Sequence, residues 1–327
     1  MSGAPLTRHL IGVDENGLGA RLGPLLVTAV YVATTEAGEA RVRRRPRGQL
    51  AADLDDSKRL LKHGSVALGE AWARAVVERL TPDAPAPTHP DELVTRLALE
   101  SMDALRAPCP RGVEDQCWGT RGERFQAPPE LLARVRGHLT RLEAQGVKLR
   151  GARSSIVCTA QLNEAQTRGI NRTVRDLHAM EALVLALREG APADVHAVCG
   201  KVGGIGEYGR YFGPLSQGLH STLVEGRARS AYHFPGLGEV HFVRDADAAD
   251  HLVMLASMLG KYLRELLMAR VARYYGGATG EGPIPGCSGY NDPTTDRFVV
   301  ATAALRRERH VPDGCFERAR GTTRKSP

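Results

Sequence analysis

Two apolar, β-branched runs open the chain, HLIGV at 9–13 and PLLVTAVYVA at 24–33, separated by a glycine-containing bend. Runs of this length bounded by glycine predict strands. The spacing of Leu61, Val66, Leu68, Trp72 and Val76 then predicts a helix over 57–80, stopped before Pro82. Periodicity lapses in the proline-rich stretch 81–92 and again over 108–130, with amphipathic stretches near 91–106 and 130–145. Residues 82–148 therefore read as an insertion, largely helix and loop, and not as core sheet. The pattern then resumes with a strand at 154–159, a helix over 171–188 capped by Asn171, and a strand at 195–199 that opens into the glycine-rich KVGGIGEYG. An alternating strand at 238–244 follows, then a long helix from Ala248 to Tyr275 and a short one over 293–307. Strands first, then alternating helices and strands, imply an α/β sandwich around a mixed sheet.

Charge and composition narrow the function classes. Among 327 residues, 44 Lys and Arg face 37 Asp and Glu, a surplus that favours a polyanionic partner and equally serves solubility. The cluster Arg41, Arg43, Arg44, Arg45 and Arg47, broken by Pro46, reads as a solvated loop ahead of a phosphate clamp. Six scattered cysteines without a CxxC pair read as reduced thiols of an intracellular protein, and no cysteine or histidine group has the spacing of a structural zinc site. The N-terminal segment lacks the apolar core of a signal peptide, and the longest uncharged apolar run, 22–33, is too short to span a bilayer. A cytoplasmic protein with no membrane partner is expected.

Three places can carry chemistry. Asp14 and Glu15 end the first strand and precede GLGARLG. Those glycines do not open a helix, because Gly23-Pro24 leads into a second β run, so a dinucleotide-binding turn is rejected. Neighbouring strand residues face opposite ways, so both carboxylates serve one site only if Glu15 has left the strand. The second place is the strand-to-helix junction with Asp245, Asp247 and Asp250, where an Asp is most simply a helix cap. Lys261 and Arg264 follow on that helix as a basic edge. The third is Asp55-Asp56-Ser57-Lys58, where capping explains one acid and Lys58 opposes the helix dipole, a sign of another partner.

In order, these segments resemble the ribonuclease HII (type 2 ribonuclease H) family, in a divergent branch. The likeness rests on Asp14-Glu15 with its glycine bend ending in Gly23-Pro24, on Asp56-Ser57-Lys58-Arg59-Leu60, and on Asn171 to Met180. It continues in Asp247 with Ala256-Ser257 and Lys261, and in Gly289-Tyr290. It spans most of the chain outside 82–148. The resemblance implies a ribonuclease H-like mixed five-stranded sheet flanked by helices over 1–275, with a C-terminal helical extension over 276–327. It implies a metal-dependent endonuclease cutting RNA in RNA/DNA hybrids or at ribonucleotides embedded in DNA, acting as a monomer. Asp14 would be the ligand shared by two Mg²⁺ or Mn²⁺ ions, with Glu15 and Asp247 each completing one. Lys58, Lys261, Tyr290 and the backbone at Gly17 and Gly19 would hold the nucleic acid, Tyr290 by stacking on a sugar.

Two departures bear on activity. The family's third carboxylate should fall at Cys199 or Gly200, and neither is acidic. A thiol is a poor ligand for Mg²⁺. Glu207, Asp176 and Asp194 are the acids that could substitute, and spacing does not choose among them. The family's Gly-Arg-Gly is Gly17-Leu18-Gly19 here, which loses a guanidinium. The alternative expectation is a catalytically inactive relative that binds nucleic acid without cutting it.

Overall fold

In the computed structural model, which describes residues 8–203, 205–276 and 287–319, both early runs are strands. They are β1 (Arg8–Asn16) and β2 (Leu25–Thr34), antiparallel, with β2 buried at every position. Residues 1–7 of the N-terminal segment, Gly204 of the glycine-rich run, and 277–286 and 320–327 of the C-terminal extension lie outside the described residues.

The sheet has seven strands, in the order β3-β2-β1-β4-β7-β6-β5, where the sequence led us to expect five. Five of them, β3 (Val147–Val157), β2, β1, β4 (Val195–Gly200) and β7 (Gly238–Val243), form the expected mixed sheet. Here β4 runs parallel to both β1 and β7. The other two, β5 (Ser221–Glu225) and β6 (Arg229–Phe234), are an antiparallel hairpin added at the β7 edge. All five residues of β5 are exposed, so this edge strand has no core face to write an alternation into the sequence.

The helix expected over 57–80 is two helices, α1 (Ser57–Leu60) and α2 (Ala67–Leu80). Between them Gly64 takes a φ of +79° and the chain folds back through a Lys62–Ser65 bridge. The short helix expected over 293–307 is likewise split, at Thr302, whose hydroxyl donates to the Phe298 carbonyl at 2.8 Å. Strand β3 begins at Val147, seven residues earlier than 154, because Val147 and Leu149 alternate inward with exposed neighbours. Within 82–148, the helices α3 (Pro90–Leu97) and α4 (Pro129–Ala144) contribute Leu93, Leu97, Leu132 and Val135 to the same apolar core as Trp72 and Leu255.

Two helices cover opposite faces of the sheet where it matters for function. Helix α5 (Arg172–Glu189) is capped by Asn171, whose side chain accepts from the Val174 amide. Helix α6 (His251–Tyr275) is capped by Asp250 and buried along most of its length. It lies directly on β1, because Gly12 has no side chain: a Cβ there would sit 2.4 Å from Leu252 Cβ. From that contact α6 runs alongside β1 toward the strand's carboxyl end, where Gly260 packs on Asn16 and Arg264 on Gly17. Among the described residues no helix is long and apolar enough to cross a membrane.

Candidate active site

Strand β1 deals its side chains alternately to two cores, Leu10 to one and Ile11 and Val13 to the other. Asp14 therefore belongs to the face covered by α6 and Glu15 to the face covered by α5. Glu15 does not leave the strand, as the sequence reading required; it remains paired with Val27. The acids meet instead at the strand's end, reached from both faces. Asp176 comes from α5, and Asp247 from a short 3-10 turn (Ala246–Ala248) just before α6.

The shared field of these groups is visible in their proton affinities. Burial, then Glu15 and Asp247, hold the Asp14 carboxyl well above the usual carboxylate range, against the Ser257 hydroxyl and Lys58. Burial also raises Glu15, with Asp247 adding to it and Lys58 opposing. Asp176 is raised well above its ordinary value by burial, then by Glu15 and Asp14. Asp247 is raised by burial and by Asp56, with Lys58 again opposing. Burial alone would lower Lys58, but Asp56, Asp247, Glu15 and Asp14 hold it above the ordinary lysine value. Lys58 is placed by α1, whose cap Asp56 accepts from the Lys58 amide at 2.9 Å. The same helix is tied to α6 by a 2.9 Å hydrogen bond between the Ser57 and Ser257 hydroxyls.

Asp245 and Asp250, the other acids of the junction, have different work. Asp250 caps α6 and is ion-paired with Arg43. Asp245 is exposed, with a left-handed φ of 54°. Asp55 is held by Arg45 at 3.1 Å and Arg59 at 2.7 Å.

Cys199 is wholly buried in the core beneath α5, and burial, with Asp176 and Glu181 nearby, pushes its thiol far up, so it offers no thiolate. Gly200 is the residue beside Asp14: a Cβ there would lie 3.2 Å from Asp14 Oδ1. Of the three possible substitutes, Glu207 is exposed and paired with Arg210 at 2.6 Å, and Asp194 is exposed and 3.7 Å from Arg188. Asp176 alone shares the field of Asp14 and Glu15, and both its carboxylate oxygens are buried without a hydrogen-bond partner.

Three carboxylates in the field of one lysine, with Asp176 and its two orphaned oxygens beside Asp14 and Glu15, suit a hard divalent cation with oxygen ligands. They are not a single tight cage. Among the described residues, only His196, Glu239 and His241 bring three ligand atoms within 4.8 Å of one another. That trio escaped the search for ligand spacing because the pairing of β4 with β7 assembles it. It lies four residues back along β4 from Gly200, about 13 Å at strand rise. Arg229 approaches His241 at 3.2 Å there, which opposes a bound cation.

The residues expected to touch nucleic acid gather beside the acids. Gly17 takes a φ of +90°, and a Cβ there would lie 2.3 Å from Arg264 Nε, so only glycine fits. Gly19 is exposed with open space around it. The Gly19 carbonyl accepts from Asn291 Nδ2 at 2.9 Å, which seats the following loop and its Tyr290 against this bend. Tyr290 stacks under the Arg264 guanidinium, 4.2 Å from its ring centre, with Lys261 Nζ at 5.5 Å. Lys261 is meanwhile bound to Glu265 at 2.7 Å. Sequence reading missed Arg318, whose buried guanidinium donates to the Gly17 carbonyl at 2.6 Å and the Gly23 carbonyl at 2.9 Å. Burial, with Arg264 and Arg172 close by, pushes Arg318 down to about 9. Nothing in the local sequence around 318 marks this role.

Raised carboxylates fix the sign of one prediction. An acid whose folded pKa exceeds its unfolded value makes the folded state bind more protons, so stability falls as pH rises above the unfolded value. In EDTA the melting temperature is therefore expected to fall from mildly acidic to neutral pH. Mg²⁺ or Mn²⁺ is expected to raise it most at neutral pH, where the acids are ionised. Calorimetric scans at several pH values check this, and a metal-independent melting curve would contradict it.

No protein-family model matches the chain, and no curated protein does. Solved structures do. Ribonuclease HII of Archaeoglobus fulgidus, from its complex with PCNA, is 18% identical over 97% of this chain and 97% of that one, with a TM-score of 0.46. Ribonuclease H2 of Pyrococcus horikoshii is 15% identical over 94% of this chain and 92% of its own, with a TM-score of 0.44. Ribonuclease H3 of Aquifex aeolicus is 15% identical over 94% of this chain and 70% of its own, at 0.41.

Proposed function

We propose that this protein is a metal-dependent ribonuclease of the type 2 ribonuclease H kind, cutting RNA within RNA/DNA hybrids or at ribonucleotides in duplex DNA. The observation that carries this reading is the shared field of Asp14, Glu15, Asp176 and Asp247 around the end of β1, with both Asp176 oxygens orphaned among the described residues. These four acids would hold divalent ions, Mg²⁺ or Mn²⁺, with Asp176 offsetting the carboxylate absent at Gly200. Such ions, when bound, supply an acidified water and charge relief at the leaving oxygen. Lys58 adds a positive charge at the rim of the acids, where it can orient a phosphate. The exposed backbone at Gly19 is open to a ribose 2′-hydroxyl, the group that separates RNA from DNA. Tyr290, held by Arg264, offers a face for a sugar or base. Gly17 serves the shape of the bend, since its carbonyl is already taken by Arg318.

The test is cleavage of three labelled duplexes with Mg²⁺ or Mn²⁺: an RNA/DNA hybrid, DNA with one ribonucleotide, and plain DNA. Cutting confined to the ribonucleotide-containing duplexes is expected. One observation favours a second reading, a binder that does not cut: the residue flanking Asp14 on β4 is Gly200, without a carboxylate. It predicts hybrid binding that weakens steeply with salt, and no products in either metal.

A further inference from the structure

The arginine cluster at 41–47, read from sequence as a solvated loop, lines a cavity of about 270 Å³. Arg41, Arg44, Arg45 and Arg47 form one wall, and His138 and Arg141 of α4 face them. No acidic residue lines the space. The nearby acids are already paired, two of them with lining residues: Asp53 with Arg134 and the lining His138, Asp55 with Arg59 and the lining Arg45, and Asp250 with Arg43. Arg41, Arg44 and Arg47 have no side-chain partner among the hydrogen bonds and ion pairs of the described residues, and the Arg41 Nε is buried without one.

A second, independent feature points into the same cavity. His251, at the start of α6, is only 4% exposed and lines the wall. Neither ring nitrogen has a partner of hydrogen-bonding geometry, the main chain of Arg45 offering only a looser approach. Burial, with Arg44 and Arg41 close by and Asp250 opposing them, pushes its imidazole down to about 4, so it is neutral and keeps one N–H to donate. A buried donor without an acceptor costs free energy, and unpaired guanidiniums held together repel. An oxyanion relieves both.

From the arginine wall, the unpartnered His251 and the lack of any lining acid, we infer that this cavity is a phosphate-binding site. Arginine matches phosphate geometry through paired N–H donors. The volume lies just below the range of small-ligand pockets, about 300–1,000 Å³, so it holds more than one phosphoryl group. Its occupant is either a free polyphosphate moiety or successive phosphates of a nucleic-acid backbone. The inference gives α4, within 82–148, a part in binding.

Titration calorimetry of the full chain with sodium tripolyphosphate tests it. Saturable binding is expected, weakened at least about tenfold by the double substitution Arg44→Gln/Arg47→Gln, which removes two charged donors. The charge-matched control Arg111→Gln/Arg121→Gln, also exposed, is expected to bind as wild type does, and so is Asp14→Asn. The nuclease reading and this one therefore fail separately. A rise in wild-type melting temperature with tripolyphosphate, lost in the double variant, is the second measurement. No binding, or equal loss in the control, overturns the site. Hybrid binding separates the sources: a backbone occupant lowers the salt slope of the double variant by about 0.9 per lost phosphate contact. A free polyphosphate occupant leaves that slope unchanged.

Discussion

Asp14→Asn is expected to lower hybrid cleavage by at least about a thousandfold, some 4 kcal/mol of transition-state stabilisation, while raising the melting temperature of the metal-free protein. The two effects have one cause. Asp14 is buried at the end of β1, with Glu15 and Asp247 in its field and only Lys58 and a hydroxyl opposing them. At neutral pH its charge is costly unless a cation shares the space, and an amide of the same shape removes the cost along with the ligand. A purely structural Asp14 would give a different pair of outcomes, unchanged cleavage with unchanged or lower stability. Cleavage assays in Mg²⁺ and Mn²⁺, with melting curves in EDTA, separate the cases.

Asp176→Asn is expected to cost at least about a hundredfold in cleavage, with a rise in metal-free stability like that of Asp14→Asn. The expectation rests on Gly200, which puts no carboxylate beside Asp14, and on Asp176, whose two oxygens have no hydrogen-bond partner among the described residues. If Asp176 supplies the missing negative charge, the variant should need more metal for half-maximal activity, and Mn²⁺ should restore more of it than Mg²⁺. Glu207→Gln and Asp194→Asn, the other two acids that spacing allowed, are expected to leave cleavage within about twofold, because both are exposed and ion-paired. A metal dependence of cleavage unchanged in Asp176→Asn would show that Asp176 does not fill the third position.

Much of this is legible in the sequence itself. Alternation and apolar runs locate β1, β2, β4 and β7, and the cap Asn171 is visible as a residue type ahead of helical spacing, whereas the choice of Asp56 over Asp55 as a cap is not. The failures share a pattern. Strand β5 was invisible because all its residues face solvent, and the break between α1 and α2 turns on Gly64 at a positive φ within an otherwise helical spacing. The arginines at 41–47 read as solvated, and Arg44, Arg45 and Arg47 are exposed; that they line a cavity with His138, Arg141 and His251 is hidden because those residues are distant in the chain.

The chain's order alone determined most of the stretches that become strands or helices and which acids stand at their ends, since periodicity and capping are local properties of neighbouring residues. Only the folded arrangement decided that Asp176, Asp14, Glu15 and Asp247 share one field, while Asp194 and Glu207 are exposed and ion-paired and Asp250 is taken by Arg43. Charge interaction depends on separation and burial, and both are set by how α5 and α6 close over the two faces of β1.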